Sequence, residues 1–181
     1  MATTVTDTTP RAWIGCLACY NEGRLVGDWY DAINADEVTT YDIHGAHSRA
    51  DSHDELWVMD HENIPVSGEM APADAAAWGN ALNEVDEHLR PALVAWVESG
   101  DYVAEGNSDL PCIPDFMERY CGEWSDFDDY ARNLADDTGL LDGVPEEIAN
   151  YFDWDAWTRD LAFDYTTADN PDGGVYVFRN L

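Results

Sequence analysis

Apolar and polar positions divide the chain into three stretches of different rhythm. Ala12-Trp13-Ile14-Gly15-Cys16-Leu17-Ala18-Cys19-Tyr20 is an almost unbroken apolar run and predicts a buried strand. Asn21-Glu22-Gly23 follows as a turn signal. Leu25 to Ala32 mixes apolar and polar residues, and residues 34–55 are polar, rich in Asp and His, and read as a loop carrying short elements. Glu55-Leu56-Trp57-Val58-Met59-Asp60 predicts a second strand, and Pro65 closes the stretch. Residues 11–66 therefore predict a small α+β domain. The Thr-rich residues 1–10 before it read as a frayed, disordered tail.

The middle stretch, 67–108, is helical. Pro72 suits a first helical turn, and Ala73, Ala75, Ala76 and Ala77 are strong helix formers. Trp78, Leu82, Val85 and Leu89 fall within about 60° of one another at about 100° per residue, which predicts one buried stripe. Glu84 and Glu87 point away from it. Pro91 is expected to break or kink the helix near Arg90, with a second helix running to Ser99-Gly100.

The last stretch, 109–181, predicts helices near 114–121 and 126–137. Ser125 is the expected N-cap of the second, with Asp126, Asp128 and Asp129 in its first turn. Phe127, Tyr130 and Leu134 share a stripe, and Asp126, Asp129, Asp136 and Asp137 fall within about 100° of arc on a neighbouring face. Asp153 is expected to cap a further helix carrying Trp154, Trp157 and Leu161. Asp172-Gly173-Gly174 signals a hairpin into the strand Val175-Tyr176-Val177-Phe178. The fold class is α+β, three small domains with short antiparallel strands in the first and last and a helical middle.

Charge changes this picture most. The 181 residues hold 38 acids against eight arginines and no lysine, a formal net charge of −30. Acidic chains poor in aromatics stay disordered, but 8 Trp, 9 Tyr and 5 Phe supply large apolar surfaces for a folded body. Self-repulsion at this charge opposes compaction. DNA and anionic membranes should repel the protein, since their ligands need Lys and Arg to displace counterions. A basic protein surface is the natural complement. Composition alone leaves a second reading open: an acidic soluble enzyme or domain adapted to high salt. No run of about 18 apolar residues occurs, which predicts no membrane span, and the polar start without a basic or apolar stretch predicts a cytoplasmic protein.

Specific chemistry is hard to find. Cys16-x-x-Cys19 has redox or zinc spacing, but on a strand residues three apart face opposite ways, so the two thiols are expected not to share a metal. With Cys112 and Cys121 they read as structural cysteines. His44, His47 and His53, with Asp51 and Asp54, fit no recognised metal spacing and read as a solvated loop, while His61 and His88 are isolated. Asp126-x-Asp128 and Asp153-x-Asp155 lack the glycine and terminal glutamate of a calcium loop. No G-x-S-x-G or G-x-x-x-x-G-K-[ST] occurs. No metal, cofactor or catalytic residue is predicted, and the chain is expected not to be an enzyme.

The acids remain as a collective. Duplex DNA carries one charge per about 1.7 Å of axis, so a charge of −30 matches about 51 Å of duplex. A compact globule of 181 residues would have a radius of gyration of only about 16 Å. Spreading the charge along a row of small domains lowers the repulsion and approaches the charge density of DNA.

An ordered set of motifs runs over about residues 13–179. It opens with Cys16-Leu17-Ala18, Tyr20-Asn21, Gly23, Leu25, Gly27 and Trp29, then Glu55-Leu56-Trp57-Val58-Met59-Asp60. Phe116, Tyr120, Gly122 and Asp129-Tyr130-Ala131 follow, and then the most specific stretch, Tyr151-Phe152-Asp153-Trp154-Asp155. Arg159-Asp160-Leu161 and Gly174-Val175-Tyr176-Val177-Phe178 complete the order. Together these segments resemble the ArdA family of antirestriction proteins. The resemblance implies a DNA mimic carried by mobile elements or phages. Such a protein occupies the DNA-binding groove of type I restriction–modification enzymes and blocks cleavage and often methylation. It also implies an elongated, curved row of three domains, usually paired as a homodimer, with no catalysis, metal or cofactor. A mimic aimed at another DNA-binding protein is the alternative. Residues 1–10 and the loop 44–54 take no part in the matching motifs.

Gly23 and Gly27 are expected to serve turns, and Trp29, Tyr120, Trp154 and Trp157 to fill cores. Arg159 is expected to pair with a nearby acid or lie at a dimer contact. The phosphate-mimicking, partner-binding residues are therefore expected among exposed acids: Glu84, Glu87, Glu98, Asp109, Asp115, Glu118, Glu123, Asp126, Asp128, Asp129, Asp136 and Asp137.

Overall fold

The computed structural model of the chain describes residues 7–45 and 53–180. It is α+β, with two small antiparallel sheets. Contacts divide it into two compact units. One comprises the chain up to Val94 with Ala104–Ile113, the other Ala95–Val103 with the chain from Pro114 onward.

In the first unit, β1 (Arg11–Cys16) lies between β2 (Gly27–Asp31) and β3 (Leu56–Glu62), antiparallel to both. Ala12, Ile14 and Cys16 alternate along β1 and are all fully buried, as strand periodicity requires for one face on a core. The strand is shorter than the apolar run predicts. It stops at Cys16, and α1 (Leu17–Asn21) begins at once, with Cys16 as its N-cap. Gly27 lies so close to β1 that a Cβ would stand 2.4 Å from the Ile14 carbonyl oxygen. A 3-10 segment (Ala32–Glu37) and α2 (Thr40–His44) follow, and a reciprocal capping box between Thr39 and Asp42 starts α2.

Helix α3 (Pro72–Asn83) starts at Pro72 as predicted, and it packs on the 3-10 segment. Gly79 makes that packing possible, because a Cβ there would meet the Ile33 nitrogen at 2.4 Å. The helix ends at Asn83, well before Pro91. Pro91 instead sits in the first turn of α4 (Arg90–Ser99), where its missing N–H is harmless. Trp78, Leu82 and Val85 are buried and Leu89 is half-buried, so the stripe survives the break. The Arg90 Nε–H donates to the Leu82 carbonyl at 3.2 Å, satisfying one orphan acceptor at the end of α3.

In the second unit, α5 (Ile113–Arg119) passes directly into β4 (Tyr120–Trp124), a strand where the sequence predicts the end of a helix. The sheet runs β4-β6-β5, with β5 (Tyr165–Asp169) and β6 (Val175–Arg179) forming the expected hairpin. The ladder is irregular between Tyr120 and Glu123, where Gly122 takes φ +100°, a glycine bulge. Trp96, Phe116 and Phe178 form the core of this sheet, with ring centroids 5.7–6.3 Å apart. Burial pushes the Tyr120 phenol up to about 12 and raises Tyr130 and Tyr176 as well.

Helix α6 (Phe127–Thr138) is capped by Asp126, not Ser125: the Asp126 carboxylate accepts the Asp129 N–H at 2.8 Å. Ser125 instead donates its hydroxyl to Asp129 at 3.0 Å. Gly139 closes α6 in the left-handed conformation. After α7 (Glu146–Ala149), α8 (Trp154–Leu161) begins at its predicted cap, where Asp153 accepts the Ala156 N–H at 2.9 Å. Among the described residues no helix is long and apolar enough to cross a membrane.

Candidate functional site

Every described Asp and Glu is exposed except Asp115, which is half-buried in the first turn of α5. Cores built from Ala, Val, Leu and aromatic rings leave no room for carboxylates, whose burial unpaired is costly. The arginines do little to neutralise this surface. Arg24 pairs with Glu22, Arg159 with Asp160 at 3.2 Å and Arg179 with Glu118 at 3.9 Å, all through largely exposed side chains. Arg132 lies over the Trp154 ring at 4.9 Å, and Arg11 over Trp29 at 5.8 Å. Eight arginines against 38 acids leave most carboxylates uncompensated whatever the pairing.

Helix α6 carries the densest set of the predicted residues. Phe127 and Tyr130 turn toward Tyr165 of β5, with centroids 5.8 and 5.0 Å away, and Ala131 and Ala135 are buried behind them. That anchorage turns Asp128, Asp129, Asp136 and Asp137 to solvent, with Asp126 at the cap. Asp129 and Asp136, seven residues apart, are separated by about 10.5 Å along the axis. This is about three times the 3.4 Å phosphate rise of one DNA strand. Glu118 on α5 and Glu123 on β4 belong to the same unit, and Glu123 accepts from the Asn170 amide at 3.1 Å. Glu98 lies at the end of α4. Glu84 and Glu87 lie in and beside the link between α3 and α4, and Asp109 in the segment before α5. The twelve are thus spread over several elements.

Nothing in the sequence sets an order among these twelve acids, and exposed acids such as Asp155, Asp160, Asp164, Asp169 and Asp172 lay outside the expected set. Of the motif aromatics, Trp29, Tyr120, Trp154 and Trp157 are half-buried, as packing residues. Phe152, Trp154 and Trp157 cluster at centroid distances of 4.9–6.1 Å. Arg159 pairs with its neighbour Asp160, a surface ion pair worth little.

A second constellation corrects the reading of the cysteines. Because β1 ends at Cys16 and Cys19 lies in the first turn of α1, the two thiols turn to the same side. Each sulfur is 3.3 Å from Nδ1 of His53, and His44 meets the His53 ring edge-on at 5.4 Å. Cys16, Cys19 and His53 are buried, so this end of the His-rich stretch is not a solvated loop. His47 and Asp51 of that predicted loop lie outside the described residues. Among the described residues, Cys16, Cys19, His44 and His53 are the one group of potential ligands close enough to hold a metal ion.

The described residues thus form an α+β fold that displays its carboxylates to solvent. Over residues 12–175 the chain matches the family of antirestriction proteins ArdA, and it belongs to that family. The comparison with curated proteins finds no match. The family is one of antirestriction inhibitors.

Proposed function

We propose that the protein is a DNA mimic that occupies the DNA-binding groove of a type I restriction–modification enzyme and blocks both cleavage and methylation. The observation that carries the reading is the outward placement of the described carboxylates, of which only Asp115 is half-buried. A groove that binds DNA by releasing counterions is lined with cations spaced for phosphates, and a dense carboxylate surface competes for the same contacts. Family membership supports the antirestriction role. Recognition is collective: neighbouring charges about 7 Å apart interact in water by only about 0.6 kcal/mol, so no single acid is decisive.

The partner-binding set is Glu84, Glu87, Glu98, Asp109, Asp115, Glu118, Glu123, Asp126, Asp128, Asp129, Asp136 and Asp137. We also propose that the protein acts as a homodimer. Ile148 and Tyr151, 62% and 89% exposed at α7 and just beyond it, are apolar side chains that a second copy would cover. The test of function is inhibition of a type I enzyme by Asp→Asn and Glu→Gln variants of increasing number. Single changes are expected to cost little and whole tracks much. Undiminished inhibition by a folded variant lacking ten or more surface charges contradicts the reading.

A further inference from the structure

We propose that Cys16, Cys19, His44 and His53 bind a zinc ion. One ligand atom from each side chain lies within 4.8 Å of all the others. In a tetrahedral site with Zn–S about 2.3 Å and Zn–N about 2.0–2.1 Å, a sulfur and a nitrogen ligand lie about 3.5 Å apart. The two sulfur-to-Nδ1 distances of 3.3 Å already match that edge.

Hydrogen bonding alone accounts poorly for this group. The Nδ1 of His53 holds either one proton or one lone pair, yet two thiols point at it. The His44 Nε2 is buried with no hydrogen-bond partner among the described residues. Such a buried orphan is costly unless something satisfies it, and a metal ion does so. Cys16 and Cys19 are 0% and 1% exposed and His53 is 9% exposed, so the centre is shielded from water. Two thiolates and two neutral imidazoles cancel the charge of a dication, which removes the main objection to burying it. Sulfur with imidazole is the donor set for zinc, and oxygen-seeking calcium and magnesium are excluded by the same softness. The Cys19 backbone N–H donates to the Cys16 sulfur at 3.5 Å, the kind of outer-shell contact that orients a thiolate ligand.

On binding, two Zn–S and two Zn–N bonds form and the two thiol protons pass to solvent. The ion ties the β1–α1 junction to the end of α2 and to the approach to β3. A small, highly charged unit has only a modest core, and a metal staple is a common remedy.

The experiment uses the full chain, purified without chelator and analysed for metal, then stripped and titrated with Zn2+ and Co2+. About one zinc per chain is expected, with a tetrahedral cobalt spectrum carrying thiolate charge transfer. Chelation is expected to lower Tm, and Cys112→Ser/Cys121→Ser to retain the metal. His44→Gln leaves three ligands and is expected to weaken zinc binding by more than about tenfold. Cys16→Ser/Cys19→Ser is expected to abolish it. If those variants fail to fold, metal content and the cobalt spectrum of the unmutated chain decide. No bound zinc with an octahedral cobalt spectrum, or recovery of a Cys16–Cys19 disulfide from protein prepared under reducing conditions, overturns the proposal.

Discussion

Asp136 and Asp137 stand in the last turn of α6, at the negative end of its dipole. A carboxylate there is unfavourable by about 0.3–1 kcal/mol, so Asp136→Asn/Asp137→Asn removes a cost of about 1 kcal/mol in total. For a chain of this length that raises Tm by about 2–4 °C. Neither change disturbs the helix end, since Gly139 donates to the Asp136 backbone carbonyl, not to its side chain. On the proposed function the same two changes weaken binding to the restriction enzyme. Two charges at about 0.6 kcal/mol each amount to about 1.2 kcal/mol at low salt, about sevenfold in affinity. At 0.15 M salt the Debye length of about 8 Å cuts this to about 0.5 kcal/mol, about twofold. Thermal unfolding and inhibition of a type I methyltransferase, each run at low and physiological salt, read the two effects separately. A protein made more stable and less inhibitory by the same pair of changes has kept the charges for binding. Inhibition unchanged at low salt would show that these two carboxylates do not meet the enzyme, whatever the stability does.

Gly79→Ala forces a Cβ to 2.4 Å from the Ile33 nitrogen, and is expected to destabilise by about 1–3 kcal/mol in denaturant unfolding; an unchanged midpoint would show that α3 and the 3-10 segment are not packed so closely. The Tyr120 phenol, raised by burial from 10.0 to about 12, stays neutral in the folded chain after its unfolded counterpart ionises. Its contribution to stability is therefore whole below about pH 10 and lost as pH rises through about 12, with Tyr130 raised for the same reason. Alkaline unfolding curves and the tyrosinate absorbance read this, and full ionisation of all tyrosines in the native protein near pH 10 contradicts it. Tyr151→Asp is expected to convert a homodimer to monomer in sedimentation velocity, and an undisturbed dimer places the contact elsewhere.

Local signals in the sequence carried furthest. Pro72 at the head of α3, the Asp153 cap and the Asp172-Gly173-Gly174 hairpin were legible because each depends on residues close by. Three other features depend on what a continuous apolar run or a distant partner conceals. The run Ala12–Tyr20 gives no period at which to see β1 change into α1, because strand and helix bury such a run equally well. Strand β4 follows α5 without a turn signal, and its partner β6 lies about fifty residues on. The cysteine–histidine group joins residues 34 and 37 positions apart, so only tertiary folding brings it together. Pro91 shows a fourth kind of failure: one residue type both ends helices and begins them, and periodicity alone does not say which. The anionic character of the surface was plain from composition, whereas composition gives no means of ranking one exposed acid above the next.

The proposed function requires carboxylates to stand where phosphates would stand. Its most direct test is competition: a labelled duplex bound to a type I methyltransferase core, titrated with this protein over a range of salt concentrations. Mutually exclusive binding is predicted, with an affinity for the protein that falls steeply and linearly in log salt as it does for DNA. A ternary complex of enzyme, duplex and protein, or binding indifferent to salt, would contradict it.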